Sequence, residues 1–186
     1  MPKILLVTAQ GTDGMEVHAL LDYCGRIKPN VDVTIAALHT NQSFRGYRDL
    51  IVRAKKKLSE VVNDTFDAVI VPGGYDASDR LAKAGEVRSI LKNHQKNNKL
   101  IGAMDTSIKV LTSHGVREER SPSKATGMTG ESAMMGGERK DKSAEEVVTL
   151  DGKILTGDHP RDIETFVYRL LEELCGEKEV LKMFQS

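Results

Sequence analysis

Four apolar runs constrain this chain more than any other feature. Lys3 to Ala9 (KILLVTA), Val31 to Leu38 (VDVTIAAL), Asp67 to Gly74 (DAVIVPGG) and Lys99 to Met104 (KLIGAM) lack the polar alternation of a half-exposed strand. Strands of this kind must be covered on both faces, and parallel sheets achieve this by returning through helices. The sequence between the runs suits such returns. DGMEVHALLDYCGRI places Met15, Ala19, Leu20 and Tyr23 on one helical face, with Asp13 positioned to cap its start. DASDRLAKAGEVRSILKNHQKN supplies one or two helices, and TSIKVLTSHG another, closed by Gly115. Near the end, EVVTLDGKILTG reads as a hairpin about Asp151-Gly152, and RDIETFVYRLLEELCG as an amphipathic helix stopped by Gly176. The order predicts an α/β, doubly wound sandwich with a mostly parallel central sheet.

The length, 186 residues, suits a single domain over 1–186. Lys plus Arg and Asp plus Glu both number 27, so no excess of positive charge argues for nucleic acid or an anionic membrane, and a small molecule or a protein is the expected partner. Cys24 and Cys175 lack metal-ligand spacing, and neither a signal peptide nor a membrane-spanning run is evident. A cytoplasmic location is expected, with both thiols packed in helices. The basic run Arg53 to Lys57 reads as a solvated face. Residues 117–146, rich in Gly, Ser and charge, read as a long irregular excursion of the kind that often borders a site.

In a doubly wound sheet, ligands sit beyond the carboxyl ends of the strands, where the crossover direction switches. Three segments end there. GTDGMEV puts Glu16 at the start of the first helix; VPGGYD brings the Gly73 and Gly74 amides toward a bound oxyanion. LIGAMDTS turns from strand to helix at Asp105, with the Thr106 and Ser107 amides behind it. After the first strand, AQGTDGMEV lacks the dinucleotide-binding spacing, and the two cysteines lack metal-ligand spacing, so no cofactor and no metal is expected.

Taken together, KILLVTAQGTDGMEV, FDAVIVPGG, LIGAMDTSIKVLTSHG and DGKILTGDHP resemble, over nearly the whole chain, the DJ-1/ThiJ/PfpI superfamily, relatives of class I glutamine amidotransferase domains, and within it the parkinsonism-associated deglycase branch. The resemblance implies a flavodoxin-like fold, a homodimer, and glyoxalase-like or deglycase-like chemistry on 2-oxoaldehydes, redox sensing or holdase activity. In that family a cysteine at the elbow and a glutamate in the first loop carry the activity. Glu16 falls on the glutamate, and Gly73 and Gly74 on the oxyanion turn. Asp105 falls where the reactive cysteine stands, and Met128 where many members have a histidine. Arg48 matches an arginine near the pocket mouth, and His159 lies in a loop that approaches the elbow.

The departure at Asp105 has a chemical consequence. A thiolate adds readily to an aldehyde, whereas a carboxylate is a far weaker nucleophile toward carbonyl carbon. Three roles for Asp105 stand open at this point: a permanent likeness of an oxidised cysteine, since a carboxylate matches a sulfinate in charge and in its two acceptor oxygens; a plain helix cap; or a general base paired with Glu16 as acid. The loss at positions 105 and 128 favours a regulatory, chaperone-like or ligand-binding protein with a small anionic or carbonyl ligand. The alternative is a carboxylate-based hydrolase or glyoxalase/deglycase-like enzyme using Glu16, Asp105 and His159. His18 reads as a surface or interface residue. Val17, Leu21 and Cys24, beside the expected core face of the first helix, add apolar surface for a homodimer.

Overall fold

A computed structural model of the chain describes residues 1–27, 31–40, 42–118 and 147–183, with only the backbone of Arg48 and Met183. Met128 and most of the expected excursion lie outside the described residues. The order is β1 (Lys3–Thr8), α1 (Gly14–Arg26), β2 (Asp32–Ala37), β3 (Ser43–Arg45), a 3-10 turn (Tyr47–Asp49), β4 (Ile51–Arg53), β5 (Lys56–Lys57), α2 (Leu58–Val61) and β6 (Ala68–Val71). There follow α3 (Tyr75–Leu81), α4 (Gly85–Lys96), β7 (Leu100–Met104), a 3-10 turn (Asp105–Ser107), α5 (Ile108–Ser113), β8 (Val148–Asp151), β9 (Ile154–Gly157), a 3-10 turn (Pro160–Asp162), α6 (Ile163–Cys175) and α7 (Glu177–Met183).

Seven strands form one sheet in the order β5-β2-β1-β6-β7-β9-β8. Every pairing is parallel except that of β8 with β9, the hairpin expected at Asp151-Gly152, where Gly152 takes φ 59°. The sheet separates two apolar layers. In β1, Ile4 and Leu6 pack with α1 and α6 through Val17, Leu20, Phe166 and Leu170. Leu5 and Val7 point the other way, onto α2, α3, α4 and α5 through Leu58, Leu81, Leu91 and Leu111. A strand serving both layers admits a polar side chain only where it is satisfied, as at Thr8, whose buried hydroxyl donates to Ala36 O at 3.0 Å, and Ile4 to Val7 form the apolar run between. The fold is thus the expected flavodoxin-like α/β sandwich.

Two details differ from the sequence reading. The buried face of α1 runs through Glu16, Val17, Leu20 and Cys24, whereas Met15 is 46% exposed. The core stripe is rotated by about one residue because Glu16 itself turns inward. Val17 and Cys24 are therefore core residues and cannot supply a dimer surface. The basic run becomes the end of β4 and the edge strand β5, with Arg53, Lys55, Lys56 and Lys57 exposed and Ala54 buried. A two-residue lysine edge is a poor template for pairing with another chain.

Candidate functional site

The sheet direction switches at β1, which pairs with β2 on one side and β6 on the other. The segments leaving β1, β6 and β7 meet at this switch point. The first is shaped by its own side chains. Thr12 Oγ1 donates to Ala9 O at 2.7 Å and accepts from Ala9 N at 2.9 Å, closing the turn after β1. Asp13 caps α1 as expected, accepting from the amides of Met15 at 2.8 Å and Glu16 at 3.4 Å. Its own N–H donates to Gly73 O at 2.8 Å, which ties this segment to the end of β6.

Glu16, in the first turn of α1, crosses that tie. It is wholly buried, and its Oε2 accepts from Gly73 N at 2.6 Å. Oε1 has no hydrogen-bond partner among the described residues. Burial pushes the carboxyl up to about 8; the nearby charges of Asp13 and Asp105 act in the same direction, and the Gly73 amide opposes them.

Gly73 and Gly74 are both required by close approach. A Cβ at Gly73 would stand 3.1 Å from Glu16 Oε1 and 3.4 Å from Asp105 Cβ, so the missing side chain is the space into which both acidic residues fit. Gly74 takes φ 117°, and a Cβ there would meet Gly11 O at 2.2 Å. The oxyanion cradle expected of these amides is already filled from within. Gly73 N–H is held by Glu16, and Gly74 N–H donates to Thr106 Oγ1 at 3.0 Å, which lies 3.2 Å from Ser78 Oγ.

The third segment is the corner after β7. Asp105 takes φ 48°, a left-handed conformation that Asp tolerates better than most residues. Ser107, whose side chain the sequence reading did not weigh, fixes this corner. Its Oγ accepts from Met104 N at 2.9 Å and lies in bonding distance of the carbonyls of Val71 and Met104, joining the elbow to β6. A serine three residues past a strand is too common to be read as a latch without the fold. The Asp105 carboxylate is half-buried and makes no hydrogen bond with any described residue. It is not capping α5, as the plain-cap role would require.

Glu16, Gly73, Gly74, Asp105 and Thr106 are thus brought together. His159 is not joined to them: its Nδ1 accepts from Arg161 N at 3.1 Å and from Arg161 Nε at 3.3 Å, capping the turn Pro160–Asp162. His18 is exposed and bonds Gly14 O through Nδ1 at 2.5 Å. Arg48 has its backbone in the turn Tyr47–Asp49, and its side chain lies outside the description, as Met128 does. Both cysteines sit in the layer of α1 and α6, where burial pushes the Cys24 thiol up to about 12 and raises that of Cys175. Among the described residues no three His, Cys, Asp or Glu side chains are grouped to hold a metal ion, and no helix is long and apolar enough to cross a membrane.

Known proteins share this architecture. Protein dj-1beta of Drosophila melanogaster is 27% identical over 176 residues, 95% of this chain and 91% of its own length. Its crystal structure superposes with a TM-score of 0.80 at 25% identity, covering 99% of this chain and 96% of that one. The glutathione-independent glyoxalase DJR-1.2 of Caenorhabditis elegans is 30% identical over 122 residues, 66% of this chain and 62% of its own. The DJ-1/PfpI family profile matches residues 2–173, and with the fold and the meeting of three loops at the switch point, the chain belongs to the DJ-1/PfpI family.

Proposed function

We propose that this chain is a non-catalytic member of its family, a cytoplasmic homodimer whose site binds a small ligand and serves regulation, with Asp105 standing where relatives carry the reactive cysteine. The observation that carries this reading is the left-handed corner at Asp105, beside a buried glutamic acid and with both of the chain's cysteines elsewhere. Asp105 brings two carboxyl oxygens beside Glu16, whose own carboxyl is pushed by burial up to about 8. This is the arrangement a cysteine reaches only after oxidation to a sulfinate. In this reading the site is fixed in a state that relatives visit, with no thiol to cycle.

The dimer is supported by surface that the monomer leaves apolar. Met15, Tyr47, Leu50 and Ile51 are each between 44% and 55% exposed, and they adjoin because Leu50 packs on Gly14 and Tyr47 N–H donates to Thr12 O at 2.8 Å. DJ-1/PfpI proteins are commonly dimeric.

A second reading has one observation in its favour. An acid raised to about 8 is suited to donate a proton near neutrality, which would make Glu16 and Asp105 a hydrolase pair or a glyoxalase-like pair assisted by His159. The engagement of His159 in its own turn weighs against its share in such chemistry. The relative named a glyoxalase makes a 2-oxoaldehyde the first substrate to test. Purified protein should not consume methylglyoxal, and iodoacetamide should change nothing. Robust turnover lost on alkylation would overturn the reading. Asp105→Cys should yield a thiol with a lowered pKa, because the elbow and its helix remain; a thiol titrating like free cysteine would remove position 105 from the elbow role.

A further inference from the structure

The last turn of α4 buries an ionisable ring that the elbow site does not use. His94 is 4% exposed, and its Nδ1 lies 2.8 Å from Ile90 O. A carbonyl only accepts, so Nδ1 carries the ring hydrogen and Nε2 the lone pair. Nε2 is buried and has no hydrogen-bond partner among the described residues. A second proton would therefore put a charged ring, and an N–H without an acceptor, against the layer of Leu58, Val61, Ile90 and Leu91. Burial holds the ring below the ordinary 6.5; the Ile90 carbonyl opposes this, the Lys99 charge adds to it, and that of Asp67 opposes it. Lys99 and Asp67 are joined to each other at 2.9 Å, and the lowered carboxyl of Asp67 stays charged between pH 7 and pH 5. β6 and β7, on which α4 packs, contain no titratable side chain. On α2, Glu60 is exposed and accepts from Lys57 N. From the turn after α5, contact comes through Lys92 and Gln95, which donate to the carbonyls of Gly115 and Val116.

The same residue closes its helix. His94 O accepts from Lys99 N at 2.9 Å, after Asn98, at φ 51°, has turned the chain toward β7. Asn97 N and Asn98 N return to Asn93 O and Gln95 O, and Leu100 N donates to Asp67 O. We propose that His94 makes this joint between α4 and β7 an acid-sensitive latch, closed while the ring is neutral and opened when a proton on Nε2 draws the last turn of α4 out to water. Because the folded value lies below 6.5, the latch is intact above about 6.5 and weakens as pH falls below it. Glu16 acts with the opposite sign, adding stability as pH falls from about 8 toward 4.5. Global unfolding feels both groups, and from pH 7 to pH 5 the Glu16 part is the larger. Local opening at α4 feels His94 alone, so acid loosens the latch while it tightens the whole.

The test is hydrogen exchange by nuclear magnetic resonance on the full chain between pH 7 and pH 5, with rates corrected for intrinsic exchange. Protection of the Asn97, Asn98, Lys99 and Leu100 amides should fall at least about threefold. That of Leu38 N–H, which donates to Thr8 O on the far side of the sheet's switch point, should hold or rise. His94→Gln and His94→Leu, neither of which titrates, should abolish the fall at the four amides and leave the direction of the Leu38 response unchanged. Ring nitrogen-15 shifts of the parent should place the hydrogen on Nδ1 at pH 7 and titrate below 6.5, a measurement that stands even where a variant fails to fold. The latch is overturned by no fall at the four amides, by an equal fall at Leu38, by a fall that persists in either folded variant, by a ring hydrogen on Nε2, or by a folded His94 that titrates at or above 6.5.

Discussion

Glu16 is an acid held where water does not reach, and its proton makes stability depend on pH. Its folded value, about 8, lies above the ordinary 4.5, so its contribution is fully present below about 4.5 and is lost as pH rises through about 8. At about 1.4 kcal/mol per unit the loss is up to roughly 5 kcal/mol. Glu16→Gln keeps an acceptor for Gly73 N–H and cannot ionise, so its melting temperature relative to the parent should climb steadily between pH 5 and pH 8.5. Parallel curves over that span would mean that Glu16 is charged in the folded protein. Asp105 tests the backbone instead. At φ 48° a β-branched residue is strained, so Asp105→Val should cost about 2 kcal/mol, whereas Asp105→Gly should stay within about 1 kcal/mol of the parent in urea unfolding. Equal costs would deny the left-handed corner.

The strands were legible and the site only partly so, for reasons that differ by element. β1, β2, β6 and β7 announce themselves because each must be apolar toward both layers, and Asp13, Gly115 and Gly176 mark helix ends by local chemistry. The rotation of α1 was hidden because Glu16 counts as polar in any periodicity, although its carboxylate faces inward to a glycine amide far away in sequence. The filling of the oxyanion cradle was hidden for a similar reason: Thr106 reaches Gly74 only once β6 and β7 are neighbours. β7 itself carries a packing constraint. A Cβ at Gly102 would stand 2.5 Å from Ile70 Cδ1 and 2.8 Å from Phe166 Cζ, so Gly102→Ala overpacks the layer between β7 and α6 and should cost about 1–3 kcal/mol. Gly157→Ala on the neighbouring β9 meets the thioether of Met104 first, at 2.5 Å, and a flexible methionine yields more readily than an aromatic ring. Chemical denaturation of the two variants should rank Gly102→Ala as the more damaging, and the reverse order would place the packing limit at the sheet's β9 side.

For the molecule as a whole, the apolar patch of Met15, Tyr47, Leu50 and Ile51 predicts self-association through the start of α1 and the β3–β4 hairpin. Light scattering at low micromolar concentration should give twice the chain mass, and Ile51→Glu, at a residue already 55% exposed, should give monomers with an unchanged far-ultraviolet spectrum. A parent that is monomeric at the same concentration would remove the dimer. A different consequence follows from the buried acid of α1. An unfolded chain at pH 6.5 has lost the Glu16 proton, and the folded chain holds it, so folding at that pH is a reaction that takes up close to one hydrogen ion from this residue. The heat of refolding should therefore change with the ionisation enthalpy of the buffer, since every molecule that closes its sheet draws that ion from the buffer.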